Sequence, residues 1–132
     1  MQNVLTAPTV TTNVQSTTRV ENVLTITVPT DDVQGQERLK VFTELLKAYL
    51  AQHFGGFTVI QITGGWADNG DEFTDTYTAF HKETGYRFIV TSVERVDDLL
   101  KQLVTDAKLS SGAPVSWIDF NYSYVNAGHF QI

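Results

Sequence analysis

The stretch Glu21–Thr30 reads ENVLTITVPT. Leu24, Ile26 and Val28 fall on one side of an extended chain, and Val23, Thr25 and Thr27 on the other. That is the two-residue period of a β-strand with one buried face. Pro29 ends the strand, and TDDVQG, residues 30–35, reads as the loop that follows. The period then changes. From about Gln36 to His53, Leu39, Phe42, Leu46 and Leu50 recur at steps of three and four, with Leu45 and Tyr49 beside them. This predicts an amphipathic helix with one core face. Gly55-Gly56 closes it as a left-handed helix stop.

The same alternation of period continues outward. FTVIQIT, residues 57–63, reads as a second strand, apolar on nearly both faces. DEFTDTYTAFH, residues 71–81, alternates with Thr74, Thr76 and Thr78 on one face and reads as an additional strand. KETG, residues 82–85, reads as a turn, and YRFIVTSV, residues 86–93, as a strong strand. A second helix is predicted from about Glu94 to Leu109, with Val96, Leu99, Leu100, Leu103, Val104 and Ala107 inward. Its first turn carries Asp97 and Asp98, where the helix dipole favours acids. SSGAP breaks the helix, and VSWIDFNYSYV, residues 115–125, is the last strand, with Ile118, Phe120, Tyr122 and Tyr124 on one face.

This order predicts an α+β fold. It is a ferredoxin-like βαββαβ sandwich with an extended β-hairpin, with two helices on one face of an antiparallel sheet. Aromatic residues are expected on the open face, and a sheet that leaves apolar area uncovered usually finds a partner. Residues 1–19, rich in Thr, Val and Asn, read as a flexible or strand-adding tail, and residues 20–132 as the ferredoxin-like domain. NVLT occurs at Asn3–Thr6 and again at Asn22–Thr25. The repeat is either chance or a tail that imitates the first core strand at a sheet edge.

Composition narrows the function. A chain of 132 residues reads as one domain that needs no disulfide or metal staple. It has no cysteine, so thiolate metal sites and cysteine nucleophiles are excluded. Nine basic residues against fifteen acidic ones give a net charge of −6. No Lys/Arg cluster stands out, which argues against a nucleic-acid partner. An acidic surface keeps the chain soluble and tolerates cationic small ligands. No apolar run approaches membrane-span length, and the N-terminus lacks the basic and apolar regions of a signal peptide. A cytoplasmic protein without membrane contact is expected. His53, His81 and His129 show no metal-ligand spacing, and no P-loop, nucleophile elbow or dinucleotide fingerprint is present. No metal or cofactor is expected. The NYS triplet at Asn121 lies within a predicted strand and carries little weight.

The candidate site lies in ITGGWADNGDEF, Ile62–Phe73. Gly64, Gly65 and Trp66 are read as a loop after the second strand, followed by Asp68, Asp71 and Glu72. Either Trp66 folds back on the core, or it covers a ligand. Glycines let a ligand approach the backbone, and an indole face beside carboxylates suits a cation. Asp31 and Asp32 end the first strand and either cap the helix or face a cleft. Tyr77 offers one phenol hydrogen bond and one ring face.

A β-α-β, long hairpin, β-α-β chain of this size resembles the PII/CutA-like proteins. That resemblance implies a compact homotrimer with small ligands, nucleoside-like or cationic, in clefts between subunits. GGFTVIQITGGWADNGDEF, residues 55–73, is also similar to small bacterial and phage proteins in which a Gly-Phe-Thr-Val strand precedes Gly-x-Trp-x-Asp-x-Gly. No PII nucleotide signature beyond topology is present, and the cysteine-bearing metal site of some CutA proteins cannot exist in a chain without cysteine. A second resemblance, to phage S-adenosylmethionine lyases, implies a sulfonium substrate. Trp66 and Tyr77 would pack it, with Glu72 or Asp31 on its amino group. The expected site therefore has Glu72 and Tyr77 as catalytic residues and Gly64, Gly65, Trp66, Asp31, Asp32 and Asp68 as ligand contacts. A third reading is a structural or interaction protein with the tail as its contact arm.

Overall fold

The computed structural model describes residues 15–132. In chain order the elements are β1 (Gln15–Pro29), α1 (Val33–Phe54), β2 (Thr58–Ala67), β3 (Phe80–Ser92), α2 (Asp97–Ser111) and β4 (Asp119–His129). The strands form one antiparallel sheet in the order β2-β3-β1-β4. Two helices on a four-stranded antiparallel sheet make an α+β fold. Among the described residues no helix is long and apolar enough to cross a membrane.

The alternation read in β1 sets the layers. Leu24, Ile26 and Val28 are buried under the helices, where they meet Leu39, Phe42, Leu46 and Leu50 of α1. Leu100, Leu103, Val104 and Ala107 of α2 join the same core, with Val96 and Leu99 partly buried beside them. Each fully buried Leu, Ile, Val or Phe side chain among them contributes about 1.5–3 kcal/mol. β1 begins at Gln15, so residues 15–19, read as the end of the tail, pair with β4. The first NVLT copy lies outside the described residues.

Several elements differ from the sequence reading: β2 runs on to Ala67, α2 starts at Asp97, and β4 spans Asp119–His129 rather than residues 115–125. α1 starts at Val33 rather than near Gln36. The Asp32 carboxylate caps it by accepting a 2.6 Å hydrogen bond from the Gly35 amide. A Cβ on Gly35 would meet that carboxylate at 2.7 Å, so this glycine belongs to the first helical turn rather than to a loop.

KETG is not a turn but part of β3. Gly85 stands there opposite Thr27 of β1 and Ile62 of β2. A Cβ on it would lie 2.0 Å from the Ile26 carbonyl oxygen, so the glycine marks a close backbone approach inside the sheet, not a reversal. Nor is residues 71–79 an additional strand. The Thr76 carbonyl and the Thr78 amide bind the Asn69 side chain, at 2.9 and 3.1 Å, instead of a neighbouring strand.

The aromatic residues of β4 are not on the open face. Phe120 pairs with Leu24, Tyr122 with Asn22 and Tyr124 with Val20, which places all three on the helix side. The open face carries Val23, Ile60, Ile62 and Ile89 instead, and Arg87 on that face donates to Thr25 Oγ1.

Gly85→Ala is expected to destabilise the protein by roughly 2–3 kcal/mol, because backbone must move to admit the methyl group. Gly56→Ala, at a position with open space around it, is expected to stay within about 0.5 kcal/mol. Denaturant titration of both variants tests the contrast.

Candidate functional site

The last pair between β1 and β3 is Pro29–Glu83, whereas β2 and β3 remain paired through Gly65–Lys82, Trp66–His81 and Ala67–Phe80. The β2–β3 ribbon therefore runs past the end of β1 as a two-stranded arm. Its root is tied to β1 by the Thr30 amide and hydroxyl, both 3.2 Å from the Lys82 carbonyl oxygen. Gly64, Gly65 and Trp66 stand in this ribbon rather than in a loop. Glycine has little strand preference of its own. The ladder to β3 imposes the conformation.

Residues 68–79 form the loop at the arm's end. The Gly70 amide donates to the Ala67 carbonyl at 2.9 Å, and the Glu72 amide to the Asn69 carbonyl at 3.1 Å. The Asp68 amide points at the Thr78 and Ala79 carbonyls, each 3.2 Å away. Together with the two Asn69 contacts, these bonds pin the loop from both ends. Phe73 and Ala79 adopt φ of 51° and 56°, a left-handed conformation that side chains other than glycine rarely take.

At the root, cross-strand pairing brings Trp66 and His81 together. Their rings stack with centroids 4.3 Å apart and planes 25° apart. The His81 Nε2 group is 2.6 Å from Asp68 Oδ1, and the two form an ion pair when the imidazole is protonated. In the neutral ring this contact makes Nε2 the protonated nitrogen and leaves Nδ1 as an acceptor. Beside the pair lies an open cleft of about 590 Å3 whose lining includes Gly64, Gly65, Trp66, Tyr77, Phe80 and His81, with the Lys82 side chain bringing a positive charge to it. Such a cleft offers ring faces, bare backbone and a phenol, which together suit a planar ligand.

Of the expected site residues, Gly64, Gly65, Trp66 and Tyr77 line this cleft, and Asp68 reaches it through His81. Glu72 stands exposed in the pinned loop, outside the lining. Asp31 is exposed near the arm's root, and Asp32 is engaged in the α1 cap. Neither lines the cleft. His81 and Phe80 went unread because their signal is a cross-strand register. Trp66↔His81 pairs residues fifteen apart, which only the position of the hairpin turn can reveal. Among the described residues no group of three or more His, Cys, Asp or Glu could hold a metal ion. No protein-family model matches the chain, and no curated protein matches it at a significant level.

Trp66 is 45% exposed, so it does not close the core. Trp66→Ala is expected to cost roughly 1 kcal/mol, against about 3–5 kcal/mol for a buried tryptophan, when measured by thermal or denaturant unfolding. Asn69→Ala is expected to speed amide exchange at Thr78 while leaving helix exchange unchanged, since it opens only the loop clamp.

Proposed function

We propose that the protein is a small-ligand-binding homotrimer of the PII/CutA-like kind. The chain order strand-helix-strand-strand-helix-strand, with β1 and β3 central in the sheet, is compatible with the ferredoxin-like arrangement that this reading requires. The ligand is planar, nucleoside-like or cationic, and occupies the cleft at the root of the arm. One observation carries the reading: the stacked Trp66–His81 pair in an open, glycine-lined cleft, with the Asp68 carboxylate on the imidazole. Stacking on an indole contributes about 1–3 kcal/mol per ring by analogy with base–aromatic contacts. An aromatic face close to a carboxylate also attracts a cation.

The same geometry favours a second reading, turnover of S-adenosylmethionine. In that lyase reaction the substrate's own carboxylate oxygen forms a bond to its γ-carbon. The bond from that carbon to sulfur breaks, with the electron pair returning to sulfur. Homoserine lactone and neutral methylthioadenosine result, with no added reactant. The chain's part would be to fold the substrate into attack geometry against Trp66 and Tyr77.

Native mass spectrometry of the full chain purified from cells tests both readings. A trimer with retained mass near that of a nucleoside is expected, with loss of that mass in Trp66→Ala. A monomer that neither retains nor binds nucleosides would overturn the binding reading. Incubation with S-adenosylmethionine separates the two: methylthioadenosine appears only if the cleft is catalytic.

A further inference from the structure

The two edges of the sheet carry surfaces of opposite character. On the β4 side, α2 leans on α1 and leaves a groove between itself and the sheet. Leu100, Val104, Ile118 and Phe120 line a hollow of about 200 Å3. It continues along Val104 and Ile118 to Val115 as a second hollow of about 330 Å3. Lys101 borders both, and Lys108, seven residues on along the same helical stripe, borders the second. Both lysines are exposed, and neither takes part in an ion pair among the described residues. The acid at the groove's near end, Asp97, is already met by Arg95 at 2.7 Å. That hydrogen bond holds the guanidinium pKa above its ordinary value. The groove is therefore apolar at its floor and cationic along its rim.

On the other edge the β2–β3 arm presents the complement. Phe73 is 90% exposed and Phe80 75%. Phe73 lies on the pinned loop and Phe80 opens β3, and Asp71, Glu72 and Asp75 of the loop are exposed as well. Exposed aromatic residues on a preorganised loop are the usual anchors of an interface, because little ordering entropy is lost on docking. The acids of the arm are opposite in charge to the lysines of the groove, and its rings share the apolar character of the groove floor. The arm belongs to the β2–β3 half of the sheet and the groove to the β4 edge, at the opposite end of the strand order. Contacts between two such patches join copies head to tail, and a suitable rotation closes them into a ring.

We infer that the β2–β3 arm of one copy docks in the groove between α2 and β4 of a second copy. This rests on the homo-oligomeric reading above and names the surfaces that form the assembly. It also places the Trp66–His81 cleft, at the arm's root, against the boundary between subunits.

The test uses the full chain and reads mass by light scattering during size-exclusion chromatography across a concentration series. Lys101→Glu with Lys108→Glu is expected to raise the dissociation constant of the assembly by roughly tenfold or more, as is Asp71→Lys with Asp75→Lys, because each places like charges together. The chain with all four substitutions is expected to reassemble. These positions are exposed, so the circular dichroism spectrum at 25 °C should stay near wild type. The chain has no cysteine, so Asp71→Cys with Lys101→Cys provides an independent readout. Oxidation is expected to link copies covalently into oligomers. An assembly that resists both charge reversals, or no covalent linkage in the cysteine variant, overturns the arm-in-groove contact and leaves the homotrimer standing. A wild-type monomer at every concentration overturns both.

Discussion

The close passage of β3 beside β1 at Gly85 is the constraint on which the rest of the molecule depends. A side chain there would meet the Ile26 carbonyl oxygen and the Thr27 Cα at 2.0 and 2.7 Å. With glycine in place, β3 runs unbroken from Phe80 to Ser92 and pairs with β1 and β2 at once. If the chain reversed at this glycine, as its composition suggests, Phe80–Lys82 would not be held against β2. The Trp66–His81 stack and the loop beyond it would then have no frame. A site at the arm's root thus depends on a missing side chain inside the sheet.

The core distributes burial unevenly, and that creates the second surface. α1 lies over the centre of the sheet, where Phe42, Leu46 and Leu50 are fully buried against β1 and β3. α2 packs mainly on α1, so β4 is covered near its start, through Phe120 and through Ile118 just before the strand. Tyr122 is half-buried beneath the Arg95 guanidinium, 4.0 Å from its ring centre, and Tyr124 is exposed. Aromatic rings left at the margin of a core in this way are adhesive surface. Net charge conceals the same feature. A chain of −6 carries a lysine-rimmed groove at one edge and an acidic arm at the other. Charge separation of this kind steers association even when the overall charge repels copies of the chain.

Preorganisation links the arm's structure to its chemistry. Asn69 uses both ends of its amide to bridge Thr76 and Thr78, and Asp68 uses its amide on the loop and its carboxylate on His81. One side chain thus closes the loop, and the next residue couples the loop to the imidazole. These groups are oriented by folding itself, so under the proposed reading the entropy of ordering them would not fall on binding.

Periodicity alone determined the class of this protein. The alternation in β1, the Leu39–Leu50 stripe of α1 and the Leu100–Ala107 stripe of α2 are local properties of the chain, and all three face the core as they read. The left-handed stop at Gly55 is equally local, with φ of 78°. Trp66, Gly64, Gly65, Asp68 and Tyr77 were also legible as a cluster, because they are close in sequence. What tertiary structure decided is everything that depends on register. It turned the glycines at 64, 65 and 85 from loop signals into strand residues, and it placed the β4 aromatics on the helix side. It also set His81 against Trp66. The physical reason is that a glycine records only freedom and space, and its sequence neighbours cannot say which is being used. Inter-strand hydrogen bonds, made by residues distant along the chain, settle that choice.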